Sequence, residues 1–328
     1  MNKMKTVNVF MLILSFLLIF SGVCGQTEET VMLTSVRTDD PVKRMVWNDS
    51  GNVLTLVTKN SVQRIAVSDP VESESFELGE KSYFLTTVSP AGVVAAISED
   101  MNTIYLYDPE SSEKAVRTIQ PGFGVLSVSV SKDGSQVAAN SAEQIRTVVY
   151  DAADGSVVHD LSGFGTAAPV YDSSLSDKGD ALLWHARGTF ALQDVADGTF
   201  GNTISLWDFA SGFALSPDNK TLAVGIINDD YENGAVIFFD PVSGQEKGRT
   251  ILGETSPYEV SFSNDGTVLW AADAGTVYRI DPKGFTLDEE VNLVDTAGDD
   301  RISYLAASPD GQSAAVLMRS GELLLVNR

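Results

Sequence analysis

Few residues in this 328-residue chain combine the types and spacing that chemistry requires. The densest group is Asn228-Asp-Asp-Tyr-Glu-Asn-Gly234, three acids and two amides in seven residues. Carboxylate and amide oxygens are what Ca2+ selects, about six to eight at a time. Asp229, Asp230 and Glu232, with Tyr231 between them, are therefore the candidate Ca2+ ligands. Their spacing differs from that of the twelve-residue calcium loop, and a solvated turn is the competing reading. Asp299, Asp300 and Arg301 form a second charged group, and His185 with Arg187 a third. A single His can serve as acid, base or ligand. The only other histidine, His159, falls in an expected outer strand, which excludes a His-rich metal site. Gly163-Phe-Gly-Thr-Ala-Ala168 fits the dinucleotide pattern G-x-G-x-x-A, but Pro169 denies it the helix that pattern needs. There is no G-x-S-x-G, P-loop, H-E-x-x-H or paired-Cys motif. No catalytic residue is assigned.

The N-terminus carries an address. Lys3 and Lys5 precede an apolar run from Val7 to Phe20, and small residues Ser21-Gly22-Val23-Cys24-Gly25 follow. That order is that of a secretory signal over residues 1–25. The apolar run is short for a spanning helix, although an uncleaved membrane anchor is a second reading. Cys24, the sole cysteine, is a candidate lipidation site of the bacterial lipoprotein kind, with Val23 larger than that motif prefers. The protein is thus expected outside the cytoplasm, secreted or held at the envelope, and touching membrane only through this segment. With one cysteine the remaining chain has no internal disulfide and depends on its core.

Lys plus Arg number 22 against 45 Asp plus Glu, a net charge of −23. Removing residues 1–25 takes away two lysines and no acid, which leaves −25. Such a surface repels nucleic acid and anionic lipid. It favours basic or cation-bridged targets.

The elements that must position these groups repeat. Asn48-Asp-Ser-Gly51, Ser89-Pro-Ala-Gly92, Ser131-Lys-Asp-Gly134 and Ser176-Asp-Lys-Gly179 begin a series of turns. Ser216-Pro-Asp-Asn219, Ser263-Asn-Asp-Gly266 and Ser308-Pro-Asp-Gly311 complete it. The fourth residues are separated by 41, 42, 45, 40, 47 and 45 positions, and an apolar β run flanks each turn. Ser or Asp caps such a turn, Pro sets its second φ, and Gly or Asn accepts a positive φ at its end. A second register runs through Asp69, Asp108, Asp151, Asp194, Asp240 and Asp281, with Asn327 in the last unit, each read as closing a strand. Every unit reads as four short strands in 40 to 47 residues, which is the blade of a β-propeller.

The S-P-D-G turns and strand ends such as Ile104-Tyr-Leu-Tyr-Asp108 and Val236-Ile-Phe-Phe-Asp240 resemble the WD40 and YVTN-like propeller families. The resemblance spans about 42–327. It lacks the Gly-His dipeptide, and its one Trp-Asp, Trp207-Asp208, is out of register. The fold class expected is all-β, a single seven-bladed propeller over 26–328 with repeats from about 42. The last unit ends after three strands, so a spare strand at about 30–36 is expected to complete it and remove an open edge.

In this connectivity the first strand of each blade lines a central channel. The S-P-D-G and Asp turns share one face. The links between second and third strands and between blades share the other, where ligands are expected. Phe123 and Phe164 are expected between blades or at the channel rim. The functional expectation is a non-enzymatic scaffold for a protein or glycan partner. No cofactor is expected, unless the 229–232 group takes Ca2+. The alternative is a lactonase-type hydrolase, as some seven-bladed propellers are, with a metal-assisted site on the link face.

Overall fold

The computed structural model describes residues 29–36, 40–70, 73–79, 83–108, 117–162, 172–186, 188–206, 210–227, 233–253, 255–294 and 300–328. Among them are 28 strands in seven four-stranded sheets, each an antiparallel meander. β2–β5 lie within 44–77, β6–β9 within 83–119, β10–β13 within 125–162 and β14–β17 within 172–205. β18–β21 lie within 210–251 and β22–β25 within 259–292. The seventh sheet joins β26 (Ile302–Ala307), β27 (Ser313–Met318) and β28 (Glu322–Asn327) to β1 (Glu29–Ser35). The chain is a seven-bladed β-propeller.

A propeller blade is apolar on both faces, because a neighbour covers each. The middle strands show it. β23 (Leu269–Ala272) is buried throughout, and so is β20 (Gly234–Phe239). Seven apolar clusters result, one at each junction between consecutive blades. One joins the last blade to the first, packing Ala315, Leu317 and Leu323 on Met45, Trp47 and Leu54. Across that junction Trp47 Nε1 donates to the Ala306 carbonyl oxygen at 2.9 Å. Burying the indole without this acceptor would leave its N–H unsatisfied.

The expected closing strand is present. β1 pairs antiparallel with β28, from Glu29 opposite Asn327 to Ser35 opposite Glu322, and Val36 N bonds Gly321 O at 2.7 Å. The outer edge of the last blade thus gains a partner from the other end of the chain.

The repeated turn works through its first residue. Ser263 Oγ accepts from Val268 N at 3.1 Å and donates to Asp265 Oδ1 at 2.8 Å. Ser131, Ser216 and Ser308 repeat this with Asp133, Asp218 and Asp310. Each of these serines is buried. The fourth position has positive φ in every turn, and at Asn219 the value is 60°. The Asp register holds as capping chemistry. Asp151 Oδ1 accepts from Ala153 N at 2.7 Å, and Asp194 and Asp240 do the same for their own turns. Asp69 departs from it. In the first blade the residue equivalent to Asp151 is Ala66, paired with Val53 as Asp151 is with Gln136. The strand ends three residues earlier than the Asp spacing implies, because pairing along β3 (Val53–Val57) sets its length.

Two outcomes follow. Ser263→Ala strands a buried N–H and should lower unfolding stability by about 1–2 kcal/mol in urea titration. Deleting residues 29–36 should lower the melting temperature and produce aggregates by size-exclusion chromatography, because β28 becomes a bare edge.

Candidate functional site

The innermost strands are β2 (Arg44–Trp47), β6 (Tyr83–Val88), β10 (Val125–Val130), β14 (Asp172–Leu175), β18 (Ala210–Leu215), β22 (Glu259–Phe262) and β26. Together they enclose a central channel of about 750 Å³. That size suits a small molecule or an inserted side chain.

The turn end of the channel is tied across its axis. Asp49 in the first turn reaches Lys132 Nζ in the third at 3.4 Å and accepts from Asn264 Nδ2 in the sixth at 3.3 Å. Lys132 also meets Asp177 in the fourth at 3.6 Å. All four are second residues of their turns. Backbone bonds stitch the same ring, with Ala91 N to Lys132 O, Lys132 N to Asp177 O and Asn264 N to Pro309 O. The opposite, link end carries no such tie among the described residues.

Near the link end three polar side chains converge from consecutive blades: Glu259 on β22, Tyr304 on β26 and Arg44 on β2. The segment before β22 positions the first. Thr255 Oγ1 donates to Asp273 Oδ2 at 2.5 Å, and Tyr258 Oη donates to the Ile302 carbonyl oxygen at 2.5 Å. Gly212, Gly225 and Gly234 let this segment lie against the fifth blade, since a Cβ on any of them would strike its backbone. Glu259 therefore enters the channel at a fixed height.

Burial pushes the Glu259 carboxyl up from its ordinary 4.5 to about 7. A 3.5 Å hydrogen bond from Leu305 N and the charge of Arg44 oppose the rise without cancelling it. Burial also raises Tyr304, with the Glu259 charge adding to it and Arg44 opposing. Burial raises Tyr258 in the same way, helped by Glu259 and Asp273 and opposed by Arg301. The site is a channel mouth holding one half-buried carboxyl with a raised pKa beside one exposed guanidinium.

Of the residues singled out from sequence, Asp229, Asp230, Tyr231, Glu232, Asp299, Arg187, Phe164 and Cys24 lie outside the described residues, as do Gly163–Ala168 and Trp207-Asp208. His185 ends the second strand of its blade, β15 (Ala181–Ala186), near the link face. Its ring stacks on Phe190 at 4.7 Å and packs on Phe213 at 4.9 Å, and burial lowers its pKa. It is a member of an aromatic group at the junction of the fourth and fifth blades. His159 is in β13 (Val157–Ser162), the outer strand of its blade. Asp300 Oδ1 accepts from Arg301 N at 3.1 Å and Ser320 N at 2.8 Å, so it caps backbone in the last blade. Phe123 packs at the junction of the second and third blades, with Arg146 over its ring at 5.2 Å. Among the described residues no three His, Cys, Asp or Glu side chains form a group able to hold a metal ion.

Glu259, Tyr304 and Arg44 escaped motif reading because 45 to 260 residues separate them. The repeat register holds the signal that finds them. Each lies four residues before its turn, where the other blades have Leu85, Ser127, Asp172 and Gly212. No protein-family model matches the chain, and no curated protein matches it.

A raised carboxyl pKa means that the folded state holds the proton more tightly than the unfolded chain does. The contribution is present below the ordinary value and is lost as pH rises through 7. Glu259→Gln should therefore match the parent in unfolding free energy at pH 4. At pH 8 it should exceed the parent by roughly 1–3 kcal/mol.

Proposed function

We propose that this protein is an exported propeller of the WD40-like or YVTN-like kind that acts as a non-enzymatic binding scaffold, presenting its link face to a protein or glycan partner at the cell surface or envelope. The observation that carries the reading is that the channel is tied across at its turn end and not at its link end among the described residues. On the turn face, Ser, Asp and Lys side chains are engaged with one another and with backbone, and the channel is tied across. Large apolar side chains stand in solvent on both faces, Val242 and Phe200 among them on the turn face, but on the link face they flank an untied channel mouth. Phe84 is 45% exposed at the channel rim, and Ile227 is 39% exposed beside the acidic 228–234 segment. Exposed aromatic and aliphatic anchors within a charged rim are what a partner surface needs. The basic-apolar-small order of residues 1–25 supports export.

The test uses the purified protein as bait against solubilised envelope extract, with and without Ca2+. One stoichiometric partner is expected. Phe84→Asp or Ile227→Asp should release it, whereas Val242→Asp on the turn face should not. Dependence on Ca2+ would assign ion binding to Asp229, Asp230 and Glu232. Equal capture by all variants would overturn the link-face reading.

A further inference from the structure

The channel is chemically unlike the rest of the molecule. The chain carries −23 overall, yet among the described side chains the channel lining holds Lys43, Arg44 and Lys132 against Asp177 and Glu259. Lys132 is engaged by Asp49 and Asp177 in the turn-end tie. Arg44 is exposed, and its guanidinium forms no ion pair or hydrogen bond among the described residues. Arg301, Arg319 and Arg328 likewise form no ion pair among the described residues, but of these four only Arg44 lines the channel. Its fork matches a carboxylate bidentately.

The wall below it supplies more donors. Thr87, Ser129, Ser174 and Ser261 line the channel, each two residues before its turn and hence at one level. Ser129 Oγ accepts from Leu175 N and Ser261 Oγ from Ala307 N, both at 3.1 Å. A hydroxyl that accepts from backbone keeps its own proton to donate. The volume, the donor-rich wall, the tied floor and the open guanidinium together describe a cup for a compact, oxygen-rich anion.

We propose that the channel binds a small hydroxy-carboxylic acid, with its carboxylate on Arg44 and its hydroxyls on the Ser/Thr level. This goes beyond partner binding on the link face and stands or falls separately from it. Glu259 gates the site. Ionised, it competes for Arg44 and repels the ligand. Protonated, it does neither and can donate a hydrogen bond. The groups around it are Arg44 from β2, with Lys43 next to it in the channel lining, Tyr304 from β26 and Tyr258 from the segment before its own strand, with Arg301 acting on Tyr258. Both tyrosines have raised pKa values and stay neutral over the range tested. His185, behind the channel-lining Phe213, has its pKa lowered by burial. Binding an anion beside Glu259 raises its proton affinity, so above pH 7 each ligand bound should draw up to one proton from solvent.

The experiment is isothermal titration of the full chain with tartrate, whose two carboxyls stay ionised above pH 6. Erythritol serves as the uncharged control and inorganic phosphate as the competing anion. Tartrate should bind about tenfold tighter at pH 6 than at pH 8.5, with proton uptake read from buffers of different ionisation enthalpy. Arg44→Gln should abolish binding, Arg44→Lys should weaken it, and Ser174→Ala should weaken it a few-fold. Glu259→Gln should bind equally at both pH values. Circular dichroism checks that each variant folds. Should Arg44→Gln not fold, Arg44→Lys and Ser174→Ala decide. Absence of tartrate binding at pH 6, unaltered binding by the Arg44 variants, or tighter binding of phosphate than of tartrate would each overturn the proposal.

Discussion

A four-stranded sheet with two apolar faces cannot fold alone, and every other feature of this molecule depends on that constraint. Val316 and Leu317 are both buried on one strand, yet they face opposite neighbours. Such a blade leaves hydrophobic surface in water unless both flanking blades are present. With seven blades the demand is met only by a ring, and a ring must close. Closure falls on the junction of the last blade with the first, where the Trp47 indole reaches Ala306 and β1 adds to β28. No disulfide contributes, since the chain has a single cysteine. The apolar junctions and the returning strand hold the ring.

The two faces then diverge for a geometric reason. Turns between adjacent antiparallel strands are short and must reverse the chain tightly, so their side chains are consumed in capping. Ser263 serves two partners at once, and Asp133, Asp218 and Asp265 have lowered pKa values although burial acts to raise them, because they accept hydrogen bonds from their own turns. Links that cross from one blade to the next have no such obligation. They vary in length and composition, and there and at the strand starts beside them Tyr258, Arg301 and Glu259 leave the repeat pattern. Function is expected where the fold makes the fewest demands.

The channel shows how placement creates chemistry from ordinary residues. A glutamate on a solvated strand would titrate at its usual value. Held in the ring by the glycine-lined contact of 255–258 with the fifth blade, and by Thr255 on Asp273, it loses water and moves toward neutrality. Arg44 tempers that shift from the neighbouring side of the closure junction. The pair exists because the ring brings residues of the first and sixth blades to one mouth.

The sequence by itself determined the architecture, since turn chemistry and strand alternation are local. Ser131-Lys-Asp-Gly134 and its six counterparts announce their hairpins through capping and positive φ, and the missing fourth strand of the last unit pointed to residues near 30. Where a local pattern competed with pairing, pairing won, and Ala66 ends its strand in place of Asp69. The site was another matter. Acidic runs such as 228–234 and the lone His185 drew attention because their chemistry is written in consecutive residues, and His185 proves to be packed among Phe190 and Phe213. Arg44, Glu259 and Tyr304 are each unremarkable in their own segments. Only ring closure sets them together, and only burial gives the carboxyl its altered proton affinity. Both are properties of the assembled tertiary structure, because they depend on distances and dielectric that no short stretch of chain contains.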